Sequence, residues 1–408
     1  MSRTDGRVMR EATTLLQAGM DVSIIDIERD TTRPREEDVS GVHLKHIRMP
    51  SWFVPVRFKP FFLVKALRMT LSGAWAMART RADVYHAHDL NALPAAYLAA
   101  RLHRKPLIFD AHELPISGPS ELRWRRLSAM ARVALRAMTP RCSGIITVSP
   151  PIADEIHRQF GGPMPVLVRN VLAYRAPMTS DRLREHLGLG PQVRIALYQG
   201  NLQADRALDN LVRAARYLEP PHVIVLMGNG ALEQPLRELA QREGVSDRVR
   251  ILPAVPYSEL LAWTASADLG LIVYQRDHSP NVQMCLPNKL FEYLMAGVPV
   301  FASDLDAVAD LVARYDVGSL VASTEPAVVG RALSAVLADR EALGRMRRNA
   351  LAAARGDLSW EHERSQLFGL YQRVLALPEA ITVPSHESPE PAPLAKAPAD
   401  IASTVREM

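Results

Sequence analysis

Across residues 5–19 apolar side chains fall at helical spacing, with Val8, Ala12, Leu15 and Leu16 on one face, and the pattern then changes to the run Val22-Ser23-Ile24-Ile25, which predicts a buried strand. Beyond a long basic and aromatic stretch, short aliphatic runs recur at 84–86, 106–109, 145–148 and 166–168, separated by helical patterns such as 93–102. A second alternation follows, with strand candidates at 193–198, 223–227, 249–252, 269–273 and 298–302. Helices are predicted between and after them at 208–218, where Leu208, Leu211, Val212 and Ala215 share a face, and at 257–264, 327–337 and 341–354. Strands that alternate with helices imply parallel sheets covered on both faces. Residues 360–375 form a last helical pattern, after which prolines recur among Ala, Ser and Glu with no period.

At 408 residues the chain accommodates two ordinary domains. The pattern divides it into a first α/β domain at 1–172, a connection at 173–192, a second α/β domain at 193–358, a terminal helix at 359–376 and a tail at 377–408 expected to be disordered. No apolar run reaches bilayer length and the first residues lack the make-up of a signal peptide, so a cytoplasmic protein is expected. Cys142 and Cys285 are the only cysteines, too few for a disulfide framework or a thiolate metal site. Cys285 suits a small buried hydrophobe better than a nucleophile.

Charge changes the picture by its distribution. Between residues 39 and 82 there is no acidic residue, while Lys45, Arg48, Arg57, Lys59, Lys65, Arg68, Arg79 and Arg81 are interleaved with Trp52, Phe53, Phe58, Phe61, Phe62 and Trp75. Such a stretch suits the surface of an anionic membrane, where each base contributes about 1 kcal/mol and the rings sit at the interface. The stretch 123–141 has the same sign. An amphipathic helix with its aromatics in the core would read alike; nucleic acid, the other polyanion, is not the expected partner.

In open parallel sheets ligands bind beyond the carboxyl ends of the strands. The residues there include Gln199-Gly200-Asn201, a glycine turn leading to Arg206; Gly228-Asn229-Gly230; and the long run from Leu286 to Ala302. In that run Pro287 and Gly297 bracket a short helix on which Lys289 and Glu292 share a face. Spacing alone leaves two readings, a surface ion pair or a grip for an anionic nucleotide at the helix start. In the first half, His86, His88, Asp110, His112 and Glu113 follow strands and could stabilise charge or move protons. His86 and His88 beside Asp89 also have a metal-like spacing, but no third ligand is identifiable and no metal is assigned. Asp304-Leu305-Asp306 reads as a plain loop.

Taken in order, Asp5-Gly6-Arg7-Val8 through Ala12, His86-Ala87-His88, Asp110-Ala111-His112-Glu113, Thr147-Val148-Ser149, Gln199-Gly200-Asn201-Leu202 through Arg206, Gly228-Asn229-Gly230, Ala267-Asp268 and Pro287 through Pro299 resemble the retaining family-4 glycosyltransferases of the GT-B fold. The resemblance spans roughly residues 5–375. It implies an α/β, GT-B architecture in which two Rossmann-like parallel-sheet domains face a central cleft and the C-terminal helix crosses back to the first domain. It further implies a nucleoside-diphosphate sugar bound by Gly200, Gly228, Asn229, Val255, Pro287, Asn288, Lys289 and Glu292, with Glu292 on the ribose. Arg206 and Lys289 would lie on the diphosphate and His112 near the transferred sugar, so that His112, Arg206 and Lys289 carry the catalysis. Neither a metal nor a cofactor is implied, and the cleft would close about hinges near 173–192 and Ser359.

Three departures accompany the resemblance. Met284 stands eight residues before Glu292, where the family has a glutamate, and Asn201 stands where an arginine is frequent. The strand and glycine loop that normally precede the first helix are absent, which gives the expectation that the start was assigned too far downstream. The function expected is transfer of a sugar, with retention, to a lipid-linked or cell-envelope glycan. A non-catalytic nucleotide-sugar-binding or partner-binding protein is the alternative, and a sugar epimerase of the same fold a third.

Overall fold

The computed structural model describes residues 5–28, 32–48, 59–116 and 125–378. Trp52, Phe53, Arg57 and Phe58 lie outside the described residues, as do the side chains of Lys59, Phe61 and Phe62 and the tail from residue 379. The first domain opens on the helix Gly6–Gln17, whose start is fixed by the Asp5 carboxylate accepting from the amides of Arg7 and Val8. Strands β1 (Ser23–Glu28), β2 (Glu36–Val39) and β3 (Val42–Arg48) make a three-stranded sheet in the order β1-β3-β2, with β2 and β3 an antiparallel hairpin. Strands β4 (Tyr85–His88), β5 (Leu107–Ala111), β6 (Gly144–Thr147) and β7 (Val166–Leu167) make a separate parallel sheet in that order.

Two expectations are corrected here. The strand at 22–25 is not a buried member of the main sheet: β1 is an edge strand of the small sheet, with its side chains half-covered or exposed. Part of the basic stretch is strand as well, because β3 turns Val42, Leu44 and His46 inward while its charged residues pair across the hairpin, Lys45 with Glu36 at 2.9 Å.

The second domain is one six-stranded parallel sheet, β8 (Ile195–Gln199), β9 (Val223–Met227), β10 (Val249–Leu252), β11 (Leu269–Ile272), β12 (Val300–Ser303) and β13 (Gly318–Val321). Its order is β10-β9-β8-β11-β12-β13, so the winding reverses between β8 and β11. Apart from β13 the strands are buried almost throughout, as expected for a sheet covered by helices on both faces. The connection 173–192 is less bare than its composition suggests. It contains the helix Arg182–Leu187, which buries Leu183 in the second domain and anchors Arg184 to Asp268 at 2.5 Å.

The terminal helix Trp360–Leu375 crosses back to the first domain. The Trp360 indole N–H donates to Thr14 Oγ1 at 3.0 Å, the buried Glu363 carboxylate takes Arg169 at 2.6 Å, and Leu370 packs so closely on β6 that a Cβ at Gly144 would lie 2.8 Å from it.

Candidate functional site

The reversal of the second sheet places the end of β8 where ligands bind in doubly wound folds. Gln199, its last residue, is 2% exposed and uses both ends of its amide. Its nitrogen donates to Glu292 Oε2 at 2.6 Å and its oxygen accepts from Thr264 Oγ1 at 2.8 Å. Glu292 sits on the helix Asn288–Met295, whose first turn has no side-chain cap. Burial pushes its carboxyl above the usual carboxylate range, against the opposing pull of Gln199, Lys289 and Arg10. Lys289, one turn earlier and buried, lies over the Tyr198 ring at 3.6 Å and the Tyr274 ring at 5.5 Å. Arg206 lies over the same Tyr274 ring at 4.9 Å. Two cations thus meet at one aromatic ring beside a buried carboxylate. Lys289 is buried and Glu292 half-buried beside the strand ends, and they do not lie out on a solvated surface, so they are not a surface ion pair.

The glycines are required by the packing of the protein itself. A Cβ at Gly228 would come within 1.8 Å of the Gly200 carbonyl oxygen, and one at Gly230 within 2.3 Å of the Leu202 oxygen. They let the β8 and β9 loops lie against one another. Gly200, at φ +124, also leaves only 3.3 Å between a Cβ position and Lys289 Nζ, so a side chain there would press on the lysine. Asn229 supports the next loop, its Oδ1 accepting from the Ala254 amide at 3.0 Å beside the half-buried Val255. Pro287 precedes the helix as its cap residue.

The first domain faces this arrangement. Asn170 donates to Asn288 Oδ1 at 3.0 Å, and Arg10 in turn bonds to Asn170. Asn281 accepts from the Leu114 amide at 3.1 Å and donates to Glu113 at 3.0 Å, while the Ser149 hydroxyl donates to the Met284 carbonyl at 2.6 Å. The Met284 and Cys285 side chains pack on the apolar core of the first domain, so the position where a glutamate was expected makes an apolar contact across the cleft. Burial pushes the Cys285 thiol up to about 11, which fits a packed hydrophobe rather than a nucleophile.

Behind Glu113 lies a buried polar cluster. Arg7 forks onto both oxygens of Asp110 at 2.9 and 2.8 Å and also donates to the Val168 carbonyl at 2.6 Å. Asp110 Oδ2 is 3.1 Å from both His88 Nδ1 and His112 Nε2, and Asp89 lies 3.4 Å from His112 Nδ1. Burial opposes charge on His112, but the bond to Asp110 and its charge outweigh that and raise the imidazole to about 9, so it is a cation near neutrality. Burial likewise opposes the Asp110 carboxylate, yet Arg7 and the two histidines hold it well below the usual range. Glu11, 1% exposed, is pushed up to about 6 by burial, against Arg7 at 3.0 Å. Glu11, His86, His88 and Asp110 bring one possible ligand atom each within 4.8 Å of the others. Arg7 already supplies a positive charge there and occupies both Asp110 oxygens, so the cluster is balanced by a guanidinium.

Sequence reasoning had singled out Lys289, Glu292, Arg206 and His112, and the first three meet at the end of β8. It missed Gln199, Tyr198 and Tyr274 as participants. A polar residue ending an otherwise apolar run at a strand end was the available signal for Gln199. Asp304 and Asp306 are exposed and pair with Arg276, Asp306 at 2.7 Å; Asp304 lies in a loop, whereas Asp306 opens the helix Asp306–Tyr315.

Residues 7–169 match the family model described as Glycosyltransferase Family 4, and residues 179–352 match that of Glycosyl transferases group 1. The D-inositol 3-phosphate glycosyltransferase of Nocardia farcinica is 34% identical over 47% of this chain, an alignment that spans 43% of that relative. Among solved structures, the sucrose-phosphate synthase of Thermosynechococcus elongatus superposes with a TM-score of 0.74 at 17% identity, covering 91% of this chain and 93% of that one. The Anabaena protein HepE in complex with UDP-glucose gives 0.63 at 15% identity over 86% of this chain and 99% of its own. Both likenesses are of fold.

Proposed function

From the premise that this chain belongs to the family-4 and group-1 glycosyltransferases, of GT-B fold, we propose that it moves a sugar from a nucleoside diphosphate to a lipid-linked or cell-envelope glycan, with retention and without metal or cofactor. The observation that carries this reading is the Gln199–Glu292 pair at 2.6 Å beside Lys289 and Arg206 around Tyr274. A buried carboxylate suits a ribose diol, and two cations next to an uncapped helix start suit a diphosphate. As the nucleoside diphosphate departs, charge grows on its phosphate oxygens while the sugar becomes oxocarbenium-like. Fixed cations placed there stabilise that state more than the ground state. UDP-glucose on the structural neighbour HepE supports a nucleotide sugar as donor.

The test is incubation of the purified chain with a panel of nucleotide sugars and either lipid extract or a soluble polyol phosphate, with donor consumption followed. Consumption with lipid extract is expected. Tight nucleotide binding with no turnover on any acceptor would instead support a non-catalytic binding protein, the reading that the apolar Met284 contact favours.

The acceptor side of the proposal rests on the helix Lys59–Arg79. Val64, Leu67, Leu71 and Trp75 are 54–60% exposed along one face, interleaved with exposed Arg68 and with Arg79, whose guanidinium lies 4.0 Å over the Trp75 ring. Among the described residues no helix is long and apolar enough to cross a membrane. An apolar stripe edged by arginines matches an interface-lying helix on an anionic bilayer. The protein is expected to sediment with vesicles containing anionic lipid and not with zwitterionic ones, and Leu71→Glu with Trp75→Glu to weaken binding at least tenfold, since two interfacial anchors are lost. Equal binding by the double variant would assign the stripe another role.

A further inference from the structure

The buried cluster continues past His112 into the terminal helix, where nothing in the proposed reaction uses it. Tyr371 is 3% exposed, and burial beside Glu11 and Asp110 pushes its phenol up, so it stays a hydroxyl. Its oxygen lies 2.8 Å from His86 Nδ1. The His86 ring stacks on His88 with centroids 4.4 Å apart and planes 19° apart. His88 Nδ1 then lies 3.2 Å from His112 Nε2. With Nδ1 held by Tyr371, His86 turns Nε2 toward Glu11 Oε2 at 4.0 Å, and these two buried atoms have no hydrogen-bond partner. The hydrogen bond to the tyrosine and the stack on His88 therefore orient His86, with Glu11 at a longer distance.

We propose that Tyr371 is a positioning residue for His112. Acting through His86 and His88, it makes the docking of the terminal helix set the orientation of the imidazole that faces the cleft. The inference rests on the glycosyltransferase reading for the purpose it gives His112, but not for the coupling itself. The chain reaches Tyr371 only after leaving the second domain, so the relay joins the element that follows the donor-binding sheet to a first-domain group in the cleft. The groups that face His112 and its relay are Asp110 and Glu113 on its own segment, His86 and His88 at the end of β4, Asp89 on the next helix, Arg7 and Glu11 on the first helix and Tyr371 on the last. Tyr371 is the one among them that can be changed by removing a single oxygen without altering charge.

The experiment is Tyr371→Phe, read in two ways. With histidines carrying carbon-13, the His112 titration is followed by NMR, and its midpoint is expected to fall from near 9 by at least half a pH unit while the melting temperature changes little. Where the wild type turns over, kcat is expected to drop about tenfold, as for small misplacements of a catalytic group, with the donor KM within twofold and the alkaline limb of the pH profile moving with the titration. His86→Asn keeps an acceptor for Tyr371 but removes the stacked ring, and should give the same shifts should Tyr371→Phe fold poorly. An unchanged His112 titration in both variants overturns the proposal. A wild type with no turnover but with the titration shift refutes the enzyme reading and leaves the positioning role standing.

Discussion

Glu292→Ala is expected to lower kcat/KM for the nucleotide sugar by about a hundredfold, because it removes a charged hydrogen-bond partner worth about 1.5–3 kcal/mol and leaves the buried Gln199 amide unpaired. The loss should divide between binding and turnover. Glu292→Gln keeps the shape and one acceptor and should recover part of the donor affinity, which isothermal titration with the nucleoside diphosphate alone would measure. The unpaired Gln199 amide should also lower stability by about 1–3 kcal/mol, although Thr264 still holds the other end of Gln199 at 2.8 Å. A donor affinity unchanged by Glu292→Ala would remove this helix from the binding site and with it the main support for the proposed reaction.

The other large effect is on stability. Asp110→Asn leaves the Arg7 guanidinium, 3% exposed, with Glu11 as its remaining buried anionic partner, and weakening a buried pair in this way costs up to about 3–5 kcal/mol. For a domain of this size that lowers the melting temperature by about 10 °C, measurable by calorimetry. A double change, Arg7→Met with Asp110→Leu, should cost no less than Asp110→Asn, because it leaves the buried Glu11 carboxyl and the His112 imidazole without their partners. The pH dependence has a definite sign. His112 is raised from 6.5 to about 9, so its contribution is fully present below 6.5 and is lost as pH rises through 9. Asp110 is depressed, so its contribution is present above the ordinary carboxylate range and is lost only in strong acid. In Asp110→Asn the loss of stability between pH 6.5 and 9 should largely vanish, because the group that raises His112 is gone.

The second domain was legible because its strands are apolar on both faces and announce themselves as runs. Strands such as β2 could not be seen that way: Glu36, Glu37 and Asp38 read as a polar loop until the hairpin opposes Glu36 to Lys45 and Asp38 to His43. The same contrast divides the site. Lys289 and Glu292 lie three residues apart on one helix, so spacing alone put them together. Gln199 joins them only because the sheet reverses beside β8, and Arg7 meets Asp110 across 103 residues of chain. Neither partner leaves a mark on the sequence near the other. The packing role of the glycines is hidden for a related reason: at Gly228 the close neighbour is another loop of the protein, which no local pattern reveals.

The return of the terminal helix to the first domain bears on how the chain is made. Gly144 of β6 waits for Leu370, Thr14 for Trp360 and His86 for Tyr371, so the first domain is completed by the last of the described elements to leave the ribosome. At about 5–20 residues per second, the roughly 200 residues between β6 and that helix occupy on the order of 10–40 s of synthesis. During that interval the second domain can fold on its own while the first stands open along the groove the helix will fill. A chain terminated shortly before Trp360 would therefore emerge with a finished second domain and with Gly144, Thr14 and His86 of the first left uncovered, and should recruit chaperones.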